Sequence, residues 1–175
     1  EFCESLIQQI DILSNISTAF SALTNMPAKN DEEFDFVSVI KRTLDIFNSD
    51  EIHFSHSHDE IISVFDKDQL GRVVTNLVKN ALQATENEPF PAIEVTLTKS
   101  EKDITLTVKD NGIGIADADK EKIFEPKFTT KTSGSGLGLA MVKNIVLSYN
   151  GSISFTSQVG KGSEFVITLV HFLNK

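Results

Sequence analysis

Lys67-Asp-Gln-Leu-Gly-Arg72-Val-Val-Thr-Asn76-Leu-Val-Lys-Asn80-Ala-Leu-Gln83-Ala-Thr85 reads as one amphipathic helix. Leu70, Val73, Leu77, Ala81 and Ala84 recur at helical spacing and form its apolar stripe. Two alternating segments follow. Ile93, Val95 and Leu97 share one face of the first, and Ile104, Leu106 and Val108 one face of the second. Strands with one apolar face and helices with one apolar stripe bury each other. The expected fold is therefore a two-layer α/β sandwich, a mixed, mostly antiparallel sheet covered by helices on one face, rather than a doubly wound parallel sheet.

The flanking sequence extends this pattern. Val37, Ile40, Leu44 and Phe47 predict a helix over 36–48, and short strands are expected near 51–56 and 61–65. Residues 111–135 are rich in Gly, Asp, Lys, Thr and Ser and read as a long loop with room for one helical turn. A loop of that length inside a compact domain is usually functional. A helix at 137–149 and strands near 151–157 and 163–170 complete the domain. Asn150-Gly151 marks the helix end, and Gly160-Lys-Gly162 a hairpin. Residues 2–26 predict one further, long helix. Leu6, Ile10, Leu13 and Phe20 fall on a heptad seam completed by Cys3, Ser17 and Thr24. The seam suits a partner helix, and an ordinary amphipathic helix packed on the domain is the alternative. Pro27 and the polar stretch 28–33 favour the partner, dividing the chain into 1–26 and 27–175.

Composition narrows the function. The chain has 175 residues, and a hydrophobic content of 40% supports a folded core. A net charge of −9 argues against nucleic acid, which needs a basic surface to displace counterions. Only two arginines are present, Arg42 and Arg72, so an anionic ligand must rely on backbone amides, a metal and a few lysines. No apolar run is long enough to span a bilayer, no stretch reads as a signal peptide, and direct membrane contact is not expected. A lone cysteine, Cys3, suits a reducing, cytoplasmic setting. The start at Glu1, without methionine, gives the expectation of a piece cut from a longer protein.

The chemistry-bearing residues lie in short segments that keep one order. Asn76, Asn80 and Gln83 stand at i, i+4 and i+7 on one edge of the helix 67–85, bordering its apolar stripe. An amide oxygen there is a neutral, hard donor suited to Mg²⁺, although such amides can equally cap neighbouring loops. Asp110 ends a strand and precedes Asn-Gly112-Ile-Gly114. Its carboxylate can accept from an adenine amino group while the glycines admit backbone close to the ring; a plain turn is the competing reading. Phe124 and Phe128 are placed as anchors of a flexible lid over 116–135, with Thr129, Thr130 and Lys131 beside the phosphates. Gly134-Ser135-Gly136-Leu137-Gly138 opens a helix, where exposed amides and the helix dipole favour anions. It is neither a Walker loop nor a dinucleotide fingerprint, whose third glycine would fall on Leu139. Together the segments describe a pocket for ATP and Mg²⁺.

In order and content this set resembles the N, G1, F and G2 boxes of the sensor histidine kinases of two-component signalling. The likeness covers roughly residues 67–170, and Asn76-Leu-Val-Lys-Asn80-Ala-Leu-Gln83-Ala is most similar to nitrogen-regulation-type kinases. The resemblance implies the Bergerat ATP-binding sandwich, Mg²⁺ on Asn80, phosphate or metal support from Asn76, and adenine read by Asp110. Gly112, Gly114, Gly134, Gly136 and Gly138 would shape the pocket and lid. Residues 2–26 resemble the second helix of the dimerisation hairpin. The family's phosphoacceptor histidine lies on the first hairpin helix, so this chain is expected to bind ATP without phosphorylating itself. His58, followed by Asp59 and Glu60, only superficially resembles an acceptor, because it sits among predicted strands. His56 and His58 also invite a metal-site reading, which two solvated imidazoles explain as well.

The implied partners are a second copy, through the helical hairpin, and a response-regulator receiver domain. The implied location is a cytoplasmic domain, with an inner-membrane anchor open to the parent protein. Two rivals stand beside this reading. The same sandwich serves ATP hydrolases, which resemble one another in a glutamate four residues before the metal-binding asparagine. Here that position is Asn76, and an amide is no general base. The other rival is a degenerate nucleotide-binding interaction module, which predicts broken boxes, whereas those of this chain are intact.

Overall fold

The computed structural model describes residues 29–129 and 136–171. The helix expected over 2–26, and the domain boundary that depends on it, lie outside the described residues. In chain order the elements are β1 (Glu32–Asp35), α1 (Phe36–Asp45), β2 (Ile52–His56), β3 (Ile62–Phe65) and α2 (Lys67–Thr85). There follow β4 (Ile93–Lys99), β5 (Asp103–Asp110), α3 (Gly138–Ser148), β6 (Ser152–Gln158) and β7 (Gly162–Val170).

The main sheet runs β2-β4-β5-β7-β6, with β2 parallel to β4 and every other pair antiparallel. β1 and β3 form a separate antiparallel pair. The register lines up the inward residues in rows. Phe54, Val95, Val108, Phe165 and Phe155 make one row, and Leu97, Leu106, Ile167 and Ile153 the next. Against these rows lies α2, which buries Leu70, Val73, Val74, Leu77, Val78 and Ala81. It is flanked by α1 and α3. Each fully buried aliphatic side chain in this layer contributes about 1.5–3 kcal/mol of transfer free energy. The helix-covered, mostly antiparallel sandwich expected from the alternation is the architecture observed.

Local chemistry sets the element ends. Asp35 caps α1, accepting from Val37 N at 3.1 Å and Ser38 N at 3.0 Å, and also takes Ile61 N at 2.9 Å. Burial alone would raise its pKa, but the bonds from Ser38, Ile61 and Val37 outweigh it and hold the carboxyl below its ordinary value. Asp66 caps α2 through Gln69 N at 3.0 Å and also accepts from Asn30 N at 2.9 Å, tying the entering chain to the helix start. At the other end of α3, Tyr149 donates to Asp31 at 2.6 Å, and burial and this carboxylate push the phenol well above its usual range.

Three expectations shift in detail. The helix predicted over 36–48 stops at Asp45, because Asn48 takes a left-handed conformation (φ 45°). The helical turn allowed for in 111–135 appears instead as successive i→i+3 turns, from Ala116 to Glu125. β1 starts inside the polar stretch 28–33, where no strand is expected, and runs on to Asp35. Among the described residues no helix is long and apolar enough to cross a membrane.

One partly buried imidazole makes stability depend on pH. His171 follows β7; its Nδ1 lies 3.2 Å from Ser63 Oγ, and its buried Nε2 has no partner among the described residues. Burial, aided by Lys99, lowers its pKa below the ordinary 6.5. As pH falls through 6.5 the unfolded chain takes up this proton before the folded one, so folding stability declines from there down to the folded pKa. Thermal unfolding of His171→Asn should therefore show a shallower fall in Tm below pH 6.5 than the unmodified chain. Identical slopes would refute the assignment.

Candidate functional site

Asp110 stands where the alternation of β5 would place an apolar residue. It continues the inward face after Ile104, Leu106 and Val108, in a row with Ile93, Ser163 and Ser157. The residue is only 6% exposed. A buried carboxylate on an apolar face requires donors, and its Oδ1 accepts from Gly112 N at 2.9 Å and Ser163 N at 3.3 Å.

The loop after β5 is pressed between two surfaces. On one side Ile113 N donates to Ala84 O, in the last turn of α2, at 3.0 Å. A Cβ on Gly112 would lie 2.3 Å from that same carbonyl oxygen. On the other side Gly160 N donates to Ile113 O at 2.9 Å, and Ile115 N to Ser157 Oγ at 2.8 Å. Gly114 faces Gln158, whose carbonyl oxygen a Cβ would approach to 2.2 Å. Asp110 is thus fixed beside the C-terminal half of α2.

The amide edge of α2 runs away from this point. Asn76 and Asn80 are half-buried and Gln83 is exposed. Asn76 Nδ2 donates to Arg72 O at 2.8 Å, while its Oδ1 lies near Gly138, 2.7 Å from where a Cβ would sit. That contact brings the first turn of α3 against α2. The N-cap of α3 is Leu137, which provides no side-chain hydrogen bond to the first-turn amides, and a helix start of this kind favours an anion. From Asn76 to Ala84 is about 12 Å of helix. The site therefore has a buried acceptor at one end, the start of α3 at the other, and Asn80 between them.

Phe124 and Phe128 are partly buried against the core. Phe124 meets Phe155 edge-on at 5.8 Å, with the Lys143 ammonium 5.5 Å from its ring centre. Lys127 N donates to Gly136 O at 2.9 Å, binding this segment to the glycine stretch before α3. Thr129 is described and exposed; Thr130, Lys131, Gly134 and Ser135 lie outside the described residues. Sequence reasoning missed Ser157 and Ser163 and gave Gly162 only a hairpin role; all three frame Asp110 from the β6–β7 hairpin. Counting back by twos from Phe165 would have placed Ser163 beside the carboxylate. His56 is the last residue of β2 and His58 lies beyond it in a bend, so they do not share a strand face.

The donor set can be tested against a divalent metal. Among the described residues no group of three His, Cys, Asp or Glu could hold one. A neutral amide at Asn80, one helical turn from the Asn76 that adjoins Gly138, fits a hard divalent ion that keeps most of its waters, such as Mg²⁺.

Residues 65–171 match the family model described as histidine kinase-, DNA gyrase B- and HSP90-like ATPase. Sensor histidine kinase ZraS of Escherichia coli K12 is 45% identical over 104 residues, 59% of this chain and 22% of that protein. Sporulation kinase B of Bacillus subtilis is 26% identical over 174 residues, 97% of this chain and 40% of its own. This chain thus spans well under half the length of these relatives. Among solved structures, the catalytic domain of histidine kinase ThkA superposes with a TM-score of 0.72 at 28% identity, covering 81% of this chain and 96% of that one. The mycobacterial sensor histidine kinase MprB gives 0.68 at 28% identity, covering 80% and 97%.

Proposed function

The chain belongs to the histidine kinase-, DNA gyrase B- and HSP90-like ATPase family, and from that premise we propose that it is the catalytic domain of a sensor histidine kinase. It binds ATP and passes the γ-phosphoryl to a histidine on a dimerisation helix. The observation that carries this reading is Asp110, a carboxylate stationed on the apolar face of the sheet beside the amide edge of α2.

Adenine lies against Asp110, which accepts from its exocyclic amine. The phosphates lie toward Asn76 and the first turn of α3. Asn80 would hold Mg²⁺, which would neutralise phosphate charge. In the reaction an imidazole nitrogen attacks the γ-phosphorus. The N–P bond forms, the bond from phosphorus to the bridging oxygen breaks, and ADP leaves with the electron pair. The imidazole proton passes to a base on the acceptor. Catalysis consists mainly of positioning and charge stabilisation, as is general for phosphoryl transfer. None of the four histidines here is on a helix of the described residues: His53 and His56 are in β2, His58 is in a bend, and His171 follows β7. The acceptor is therefore supplied by the hairpin, to which residues 1–26 contribute the second helix, with 27–175 as the catalytic domain. Assembly is as a homodimer on the cytoplasmic side, and the phosphoryl passes on to a receiver-domain aspartate. Asn76 at the position of a hydrolase's general base weighs against rapid ATP hydrolysis.

Calorimetric titration with ATP, with and without Mg²⁺, tests the pocket. Mg²⁺ should strengthen binding, and Asn80→Ala should remove about tenfold of that gain. Undiminished Mg²⁺ dependence in the variant would overturn the metal assignment, and absence of ATP binding by the unmodified chain would overturn the pocket itself.

A further inference from the structure

Both arginines of this acidic chain line one open groove between α1 and α2, far from the predicted adenine end of the site. The groove, a cavity of about 550 Å³, is bordered by Arg42, Lys67 and Arg72, with Asp68 as its one carboxylate. Arg42 and Arg72 are exposed, and neither is ion-paired among the described residues. Lys67 shares its charge with Glu32 at 3.1 Å. On a chain of net charge −9 this is a local excess of cations on opposed helix faces.

Gly71 lines the groove between the two arginines. A glycine inside a helix costs about 1 kcal/mol relative to alanine. Nothing in the packing demands it: a Cβ there would meet only Thr43 Oγ1, at an ordinary 3.8 Å. What the missing side chain does is keep the groove open. The groove ends at Asn76, whose Oδ1 adjoins the first turn of α3. Lys67 to Asn76 spans about 14 Å of helix, which matches about four residues of extended chain.

We propose that this groove docks an acidic segment of the polypeptide that receives the phosphoryl group, directing it toward the phosphate end of the site. The proposal rests on the kinase reading for the identity of the partner, and on charge complementarity and the open groove for the surface. Opposite charge steers encounter and fixes register more than it adds affinity. The docked segment lies along α1 and α2, its acidic side chains paired with Arg42 and Arg72 and its end at Asn76. Arg72 contributes its side chain only, since its carbonyl is occupied by Asn76.

The test is an NMR titration of the chain with a short acetylated peptide alternating Glu and Ala, with ATP calorimetry on the same samples. Amide shifts should be confined to 39–43 and 67–76 and should weaken with added salt. Arg42→Glu with Arg72→Glu should weaken peptide binding at least about tenfold. Gly71→Leu, which fills the groove without changing charge, should do likewise, and both variants should keep their ATP affinity. Shifts elsewhere, or equal peptide affinity in the Gly71→Leu chain, would overturn the groove as the docking site. Displacement of the peptide by an equal concentration of inorganic phosphate would overturn it in favour of a small-anion subsite. Loss of ATP binding by the unmodified chain with peptide binding intact would sink the kinase reading while leaving the surface standing.

Discussion

Asp110→Asn should lower ATP affinity by two to three orders of magnitude while leaving the fold in place. Oδ1 of the carboxylate already serves two backbone donors, Gly112 N and Ser163 N. An asparagine can keep one carbonyl oxygen for those amides, but it then presents an NH₂ group where the carboxylate offered acceptor capacity. In the proposed pose the adenine exocyclic amine is also a donor, and donor would face donor at a position 6% exposed. Losing a charge-assisted bond and leaving a buried donor unpaired costs about 3–4 kcal/mol together, hence the expected loss. Guanine carries a carbonyl oxygen where adenine carries the amine, so the ratio of ATP to GTP affinity should fall in the variant. Calorimetry with both nucleotides reads this directly. An unchanged affinity and an unchanged ratio would mean that Asp110 is only a turn residue.

Asp110-Asn-Gly112 alone fits a plain turn equally well, and what the strand adds is the direction of the carboxylate. The segment Ile104, Leu106, Val108, Asp110 keeps its period of two, so the carboxylate must point into the helix-covered face. The same logic made α2 legible: its stripe and the capping residue Asp66 are local, and the helix runs over 67–85 as expected. β1 was not legible, because Glu32-Glu33-Phe34-Asp35 has a single apolar residue. It becomes a strand only by pairing with β3, with Phe34 stacked on Phe36 at 5.0 Å. The turns of 116–125 were harder still, since Ile123 alone among them is buried. Helical spacing puts Asn76, Asn80 and Gln83 on one edge, but it does not decide that Gln83 is exposed while the two asparagines are half-buried. The groove of Arg42 and Arg72 joins residues thirty apart in sequence and follows from the crossing of α1 and α2, which no local pattern encodes.

Gly162→Ala should be the most damaging glycine-to-alanine change among the described residues, lowering stability by about 3–4 kcal/mol, or roughly 6–16 °C in Tm. Gly162 was read as hairpin punctuation, yet it is where β7 crosses the end of β5. Its φ is 96°, and a Cβ would lie 1.9 Å from the Asp110 carbonyl oxygen and 2.8 Å from Asn111 Cα. Those are backbone atoms, which cannot rotate away as a side chain could. The pairing of Asp110 with Ser163 would have to open, and the Ser163 N–Asp110 bond with it. ATP binding should therefore fall along with stability. Gly160, two residues earlier in the same turn, is the internal control. Its φ is 73°, but nothing lies within 4 Å of a Cβ. Gly160→Ala should show the conformational strain alone, about 1–2 kcal/mol, with ATP affinity unchanged. Gly112→Ala is the converse case, free of positive-φ strain but 2.3 Å from Ala84 O. It should lift the loop from α2 and weaken ATP binding more than it lowers Tm. If Gly162→Ala unfolds no earlier than Gly160→Ala, the close approach of β7 to Asp110 is wrong, and with it the account of how the carboxylate is held.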